Sequence, residues 1–323
     1  MAQTDRIAVV AGGSAGVGRA VVTALLDKGY KVAVMARGQA RLDEMAADLG
    51  EDKVFCQSVD VSKADAMEKA AKAIVEKWGA PSIWVNAAML TTFSPFEEMT
   101  AEEFEEILAT TLGGQVNGTR AALKHMTKGR IVCIGSGLAY RPVPYQSAYC
   151  AAKHAINGFV GSVRSELLRQ KSRVSISLVQ LPAINTPQFD WARNRMDKKP
   201  QPAPPIFSPD FAAKAVMRAA TGKERELLVG TSVVKLIFGT MVLPNWLDKK
   251  LADDGVESQK SDREESGDRE DNLLSPADYP SRAEGSFGDR ASDDGMIVDA
   301  DLARKVVFFG APALAFLIGL ILG

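Results

Sequence analysis

Apolar positions in the first two-thirds of the chain fall in short unbroken runs separated by amphipathic stretches. RIAVVAG (6–12), YKVAVMA (30–36), DKVFCQSVD (52–60), SIWVNAA (82–88), RIVCIGS (130–136) and VSISLVQLP (174–182) are brief and apolar on both faces, the pattern of strands covered on two sides. Between them, Arg19–Lys28 and Asp65–Trp78 carry helical spacing. Gly29 stands where the first of these needs a cap, and Gly79-Ala80-Pro81 stops the second. Strand alternating with helix requires parallel strands joined by right-handed crossovers. The pattern therefore predicts an α/β fold, a doubly wound parallel sheet in a single domain.

The pattern changes at Pro187. NTPQFDWARNRMDKKPQPAPPIFSP (185–209) is too rich in proline for a core element and reads as a long covering segment with a short helix inside. Phe211–Thr221 returns to helical spacing, and Leu227–Gly230 reads as a last strand. Val233–Leu247 is apolar but broken by Lys235, Gly239 and Pro244, so an irregular hydrophobic cover is expected there. Residues 252–303 are charged, rich in Ser and Gly and poor in large apolar side chains, the composition of a flexible linker. Val306–Gly323 then carries no charge, and its 18 residues would span about 27 Å as a helix, close to the apolar thickness of a bilayer. Arg304 and Lys305 precede it, as cationic flanks do on the cytoplasmic side. The expected organisation is a folded domain over 1–251, a linker over 252–303 and a transmembrane anchor over 304–323, with the domain on the cytoplasmic face.

Charge and composition narrow the function classes. With 39 basic and 40 acidic residues the net charge is −1, so no global field recruits nucleic acid. Cys56, Cys133 and Cys150 form no CxxC pair, which suits a reducing compartment. His125 and His154 belong to no ligand-like cluster, so no metal site is expected. Asp5-Arg6 runs straight into the first strand, without the apolar region of a signal peptide.

The chemistry begins at the first strand-to-helix turn, AGGSAGVG. Gly12, Gly16 and Gly18, with Ser14 and Val17 between them, have the GxxxGxG spacing that lets backbone approach a dinucleotide pyrophosphate at a helix N-terminus. Alone, such a turn is equally a tight connection. The second strand ends in Ala36-Arg37, where an acidic residue would select a ribose 2′-hydroxyl. Arg37, assisted by Arg41, can instead pair with a 2′-phosphate, which favours NADP over NAD; its other reading is a solvated surface arginine.

Ser136 closes a strand, and Tyr149 and Lys153 follow as Y-C-A-A-K, one helical turn apart. An ammonium beside a phenol lowers the phenol pKa, so Tyr149 can exchange a proton with a substrate oxygen that Ser136 holds. His154 and Cys150, although adjacent, read as packing or surface positions. Met89, Phe189 and Trp191 either line a substrate pocket or pack as core and lid.

The ordered set GxxxGxG, Asp60-Val61, Asn86-Ala87-Ala88, Ser136 and Tyr149-x-x-x-Lys153 resembles the short-chain dehydrogenase/reductase family over roughly residues 5–230. The resemblance implies a Rossmann-type fold with a seven-stranded parallel sheet and a homo-oligomer. With the NADP(H) preference read from Arg37, it implies hydride-transfer interconversion of a carbonyl and a secondary alcohol, on a small-molecule substrate that the anchor hints is hydrophobic. By the same resemblance Asp60 contacts the adenine, Asn86 supports the cofactor and the central sheet, and Ala87 and Val61 sit beside it. Lys153 also grips the nicotinamide ribose, Thr186 meets the carboxamide, and Pro182 and Ala183 line that face. The chain departs from the family pattern in three places. The usual Asn-Asn-Ala-Gly appears as Asn86-Ala87-Ala88-Met89, without its second asparagine and its glycine, Ala183 stands for glycine, and Thr111 stands where an asparagine normally kinks a helix and places a relay water. Thr111 can also bond a carbonyl or water, and Gly113-Gly114 would permit the same distortion. The Thr111 departure leaves open a second reading, a membrane-tethered NADP(H) sensor or scaffold with weak catalysis.

Overall fold

The structure is a computed structural model that describes residues 6–267 and 269–310, together with Pro312 and Leu320. Six of its strands are the six apolar runs: β1 (Arg6–Ala11), β2 (Tyr30–Ala36), β3 (Val54–Ser58), β4 (Ile83–Asn86), β5 (Gly129–Ser136) and β6 (Val174–Leu181). β7 (Glu226–Val229) follows, and β8 (Ile297–Asp299) closes the edge. The order is β8-β7-β6-β5-β4-β1-β2-β3, parallel throughout except for β8, which pairs antiparallel with β7. The sheet thus has one strand more than the seven expected.

Alternation along β1 explains why both faces are apolar. Ala8 and Val10 join one core with α1 (Gly16–Asp27), α2 (Gln39–Leu49) and α7 (Pro209–Thr221). Ile7, Val9 and Ala11 join the other with α3 (Ala64–Trp78), α5 (Gly114–His125) and α6 (Ser147–Arg169). α4 (Ala101–Leu108) starts from a capping box in which Thr100 and Glu103 satisfy each other's backbone amides. Between α4 and α5 the chain makes a π-turn over Ala109–Gly113.

The expected irregular cover is two helices, α8 (Gly230–Val242) and α9 (Pro244–Glu257). Pro244 has no amide hydrogen to continue α8 but suits the first turn of α9, so the proline sets an elbow between two helices.

Residues 252–303 are not a free linker in the structure. Lys260–Glu264 pairs antiparallel with Lys198–Pro200, Ala291–Ser292 pairs with Ile206–Phe207, and β8 joins the main sheet. Leu273 is fully buried against Leu90, Ile107 and Ala148. Arginines of the domain hold much of the remainder through its backbone carbonyls. Beyond it, α10 (Ala300–Lys305) leads into a π-turn over Val306–Gly310. Among the described residues no helix is long and apolar enough to cross a membrane. The rest of the expected anchor, apart from Pro312 and Leu320, lies outside the described residues.

Candidate active site

Two close approaches fix the glycine turn. Gly12 has φ +87°, and a Cβ there would lie 2.3 Å from the Ala88 nitrogen; a Cβ on Gly18 would lie 2.0 Å from the Gly12 oxygen. The start of α1 is therefore drawn tight beneath the turn. Ala15 at its N-cap offers no side-chain hydrogen bond, so the first amides of the helix depend on partners from elsewhere. Gly12, Ser14, Gly16, Val17 and Gly18 line a cavity of about 750 Å³ that runs on past Arg37, Val61 and Ala87 to Ser136, Tyr149 and Lys153. Pro182, Ala183 and Thr186 line it too, and Thr186 packs directly beside Gly16. An extended cavity, a helix start without a side-chain cap and nearby arginines suit an anionic dinucleotide.

Asp60 and Asn86 do not line this cavity. The Asp60 carboxylate accepts the Ser62 amide at 2.9 Å and closes the turn after β3, while its neighbours Val59 and Val61 face the cleft. Asn86 is buried on the helix side of the sheet. Its amide oxygen accepts from the Trp84 indole at 3.0 Å, and its amide nitrogen donates to the Thr119 hydroxyl at 3.2 Å and the Gln115 carbonyl at 3.4 Å. Asn86 thus ties β4 to α5.

Arg37 lines the cavity but is already partnered. Its guanidinium donates to the Asn272 carbonyl at 2.5 Å and the Leu273 carbonyl at 3.2 Å. Arg41 donates to the Tyr279 carbonyl at 2.9 Å and the Ala277 carbonyl at 2.7 Å, and its guanidinium lies 4.6 Å from the Trp191 ring centre. The same strap reaches the glycine turn, where Gly16 N donates to the Arg282 carbonyl (3.0 Å) and Ser281 Oγ to the Ser14 carbonyl (3.1 Å). Residues 272–282 therefore roof the end of the cleft beside the glycine turn.

At the other end, Ser136 terminates β5 and its hydroxyl accepts the Leu138 amide at 3.1 Å. Tyr149 sits in the first turn of α6 and Lys153 one turn later. Lys153 is fully buried; its amine donates to the Ile134 carbonyl at 2.7 Å and lies 5.4 Å from the Tyr149 ring centre. Burial pushes the Lys153 pKa down to about 7. Burial also pushes the Tyr149 phenol above its ordinary value, with the Ser136 hydroxyl pulling the other way. This corrects the expectation of a Tyr149 pKa lowered by its lysine. Burial is the largest influence on each group, and it disfavours the ionised form of both.

Thr111 is fully buried and does not line the cavity; its hydroxyl accepts the Leu90 amide at 2.9 Å and donates to the Leu90 carbonyl at 3.1 Å. The helix distortion expected beside Gly113-Gly114 is present as the π-turn, and it turns Thr110 rather than Thr111 to the cavity wall. Thr111 thus locks the turn to the segment after β4 rather than meeting a substrate.

Met89, Phe189 and Trp191 all line the cavity, and Phe189 also packs on Phe93 and Phe287 at ring separations of 5.9 and 6.3 Å. His154 bonds the Cys150 carbonyl one turn back, and the buried Cys150 thiol is raised to about 11. Sequence reasoning missed Leu138, Val143 and Gln146, and the side chains that α8 and α9 contribute, such as Leu236 and Leu247. The apolar composition of 233–247 was the only signal for the latter.

The family model for the short chain dehydrogenases matches residues 6–197. An uncharacterized oxidoreductase of Bacillus subtilis, YxnA, is 30% identical over 84% of this chain and 78% of its own length. A bovine 3-oxoacyl-[acyl-carrier-protein] reductase is 33% identical over 53% of this chain and 73% of its own. Among solved structures, an alcohol dehydrogenase from the archaeon Thermococcus sibiricus complexed with 5-hydroxy-NADP superposes with a TM-score of 0.59 at 28% identity, over 69% of this chain and 95% of that one.

Proposed function

Since the chain belongs to the short-chain dehydrogenase family, whose members act on alcohol and carbonyl groups, we propose that it uses NADP(H) to interconvert a hydrophobic carbonyl compound and its secondary alcohol. The observation that carries this reading is one continuous cavity lined at one end by the Gly12–Gly18 turn and at the other by Ser136, Tyr149 and Lys153. The NADP-bound Thermococcus relative supports the choice of cofactor, as do Arg37 and Arg41 in place of an acidic residue.

The nicotinamide, when bound, supplies the hydride in reduction and accepts it in oxidation. The chain's own residues manage the oxygen. Ser136 holds the carbonyl oxygen by a hydrogen bond, and Tyr149 gives it a proton as the carbon gains the hydride, so C=O becomes CH–OH. A raised phenol pKa keeps Tyr149 protonated for that task. The Lys153 ammonium, present below about pH 7, stabilises the phenolate that remains. In oxidation the same proton returns. The Ser136, Tyr149 and Lys153 side chains at one end of the cavity favour catalysis over a non-catalytic sensor. The charge-free tail supports attachment to a membrane with the catalytic domain on the cytoplasmic face, and the family resemblance supports a homo-oligomer.

The test uses the full chain with NADPH and a panel of ketones. Tyr149→Phe is expected to lower turnover by about 10²–10⁴-fold, the usual worth of a placed proton donor, while NADPH fluorescence on binding persists. Binding without turnover of any carbonyl would leave a sensor; absence of binding would remove the cofactor assignment altogether.

A further inference from the structure

The elbow between α8 and α9 carries an apolar face that the fold leaves uncovered. Met241 is 59% exposed, Val242 74%, Leu243 53% and Trp246 56%. Single apolar residues on a surface need no explanation, but four clustered at one elbow do. The tail starts beside them. The Phe308 ring lies 6.1 Å from Phe238 of α8, and Phe309 next to it is 72% exposed. From Val306 to Gly323 the sequence holds no charge.

Cations border the face. Lys235, Lys249 and Lys305 are exposed, and Lys250 lies 5.8 Å from the Trp246 ring centre. Of the acidic residues of α9, Asp248 pairs with Arg141, Asp254 with Lys250 and Glu257 with Lys260, and Asp253 is exposed, so the exposed cations outside these pairs are Lys235, Lys249 and Lys305. An apolar patch rimmed by lysines suits the boundary between headgroups and acyl chains.

The same helix pair walls the substrate half of the cavity. Leu236, Leu247 and Leu251 line it, and Trp246 belongs to both surfaces, lining the cavity while remaining more than half exposed. α8 reaches close to the reacting end, because a Cβ on Gly137, the residue after Ser136, would touch Val233 and Leu236 at 3.2 and 3.3 Å. An apolar path therefore leads from the outer face of the elbow to the Ser136 end of β5.

We propose that the α8–α9 elbow seats on a lipid bilayer and that the substrate is a bilayer-resident carbonyl lipid, which reaches Tyr149 past Trp246 and Leu247. The proposal rests on the oxidoreductase reading and adds to it the substrate class and the surface that delivers it. A bilayer is the occupant because the charge-free tail leaves the domain at this face and its length matches an apolar membrane core.

The experiment places the full chain on vesicles of phosphatidylcholine and phosphatidylglycerol, part of the phosphatidylcholine brominated on its acyl chains. Bromine quenches tryptophan only on contact, and Trp246→Phe identifies how much of the quenching belongs to Trp246. Turnover is read with 2-butanone in solution and with 2-pentadecanone dissolved in the vesicles. The expected result is quenching assigned to Trp246. In Met241→Asp/Val242→Asp that quenching is lost and kcat/KM for 2-pentadecanone falls about tenfold or more, while 2-butanone reduction is unchanged. Equal activity of the double variant on both ketones, with quenching unaltered, would overturn the proposal. So would absence of Trp246 quenching together with halving of the native mass in the double variant, which would mean that a second copy covers the face. Loss of NADPH oxidation with every carbonyl would strike the oxidoreductase reading instead, and the quenching would still decide the seating.

Discussion

Arg37 donates a hydrogen bond to the backbone carbonyl of Asn272, 235 positions later in the chain. The arginine that the sequence marks for a cofactor phosphate is thereby held by the strap that roofs its site. Arg37 also lies 3.8 Å from the Glu106 carboxylate, so a 2′-phosphate would have to compete with that charge as well as replace the neutral carbonyls. Arg37→Ala is expected to raise the KM for NADPH by about 10–100-fold, the worth of one or two hydrogen bonds to a charged group, and to change that for NADH less than threefold. Steady-state kinetics with both cofactors checks this, and an equal loss on both would remove Arg37 as the discriminating residue.

Tyr279 is the clasp of that strap. Its ring meets Trp191 edge-on at 4.9 Å, and its hydroxyl donates to Asp190 at 2.6 Å. In Tyr279→Ala the strap loses both, roughly 1–3 kcal/mol of local attachment. Faster amide exchange over 272–282 and faster NADPH association are expected, by mass spectrometry and stopped-flow fluorescence respectively. Unchanged exchange would show that the carbonyl–arginine bonds alone hold the strap.

Lys153 carries a pH signature whose sign is fixed by burial. A lysine ordinarily loses its proton near 10.5; here the folded chain releases it at about 7. The ammonium that assists Tyr149 is present below about pH 7, so kcat/KM for ketone reduction should fall as pH rises through that value. The stability effect has the opposite slope. Between about 7 and 10.5 the unfolded chain binds the proton that the folded chain has released, so the Lys153 contribution to stability rises with pH. Lys153→Met should be inactive, yet more stable than the parent by roughly 3–5 kcal/mol near neutral pH, a gap that closes towards pH 10.5. Denaturant titrations across that range measure it.

Glu103 shows the reverse case. It is 3% exposed. Burial alone would raise its pKa, but hydrogen bonds from Arg195, Arg193 and the Thr100 amide carry it down to about 2. These contacts pin the 193–195 segment of the cavity cover to α4. The ionised form stabilises the fold above the ordinary carboxylate range, and that contribution is lost as pH falls from about 4.5 through 2. Glu103→Gln is expected to cost on the order of 2–3 kcal/mol at pH 7 and progressively less in acid, read as the shift in urea midpoint.

The strands were legible because each is a short run with both faces apolar, and Val9 and Val10 do point into different cores. The site was legible where chemistry is local. Tyr149 and Lys153 lie one helical turn apart, and Gly12 and Gly18 are dictated by atoms two or more residues away that any backbone of this topology brings near. The helices α8 and α9 were hidden because Gly239 and Pro244 interrupt an apolar stretch without revealing that Pro244 opens a second helix. Residues 252–303 were hidden for a different reason. Composition counts apolar side chains, and this segment has few, Leu273 chief among them. What else holds it is its own carbonyls, accepting from Arg37, Arg41 and Gly16, and every residue type carries a carbonyl. Asp60 and Asn86 kept their places in the motif, but their side chains serve a turn and the interior.

One further matter follows from β8. Without it, the outermost parallel strand would offer Leu227, Leu228 and Val229 as a bare row of unpaired peptide groups, a template for sticking to any extended polypeptide. Ile297–Asp299 occupies that row in the opposite direction. Anyone trimming the tail for crystallisation should therefore cut after Lys305 rather than before Ile297, since the shorter product would trade solubility for self-adhesion.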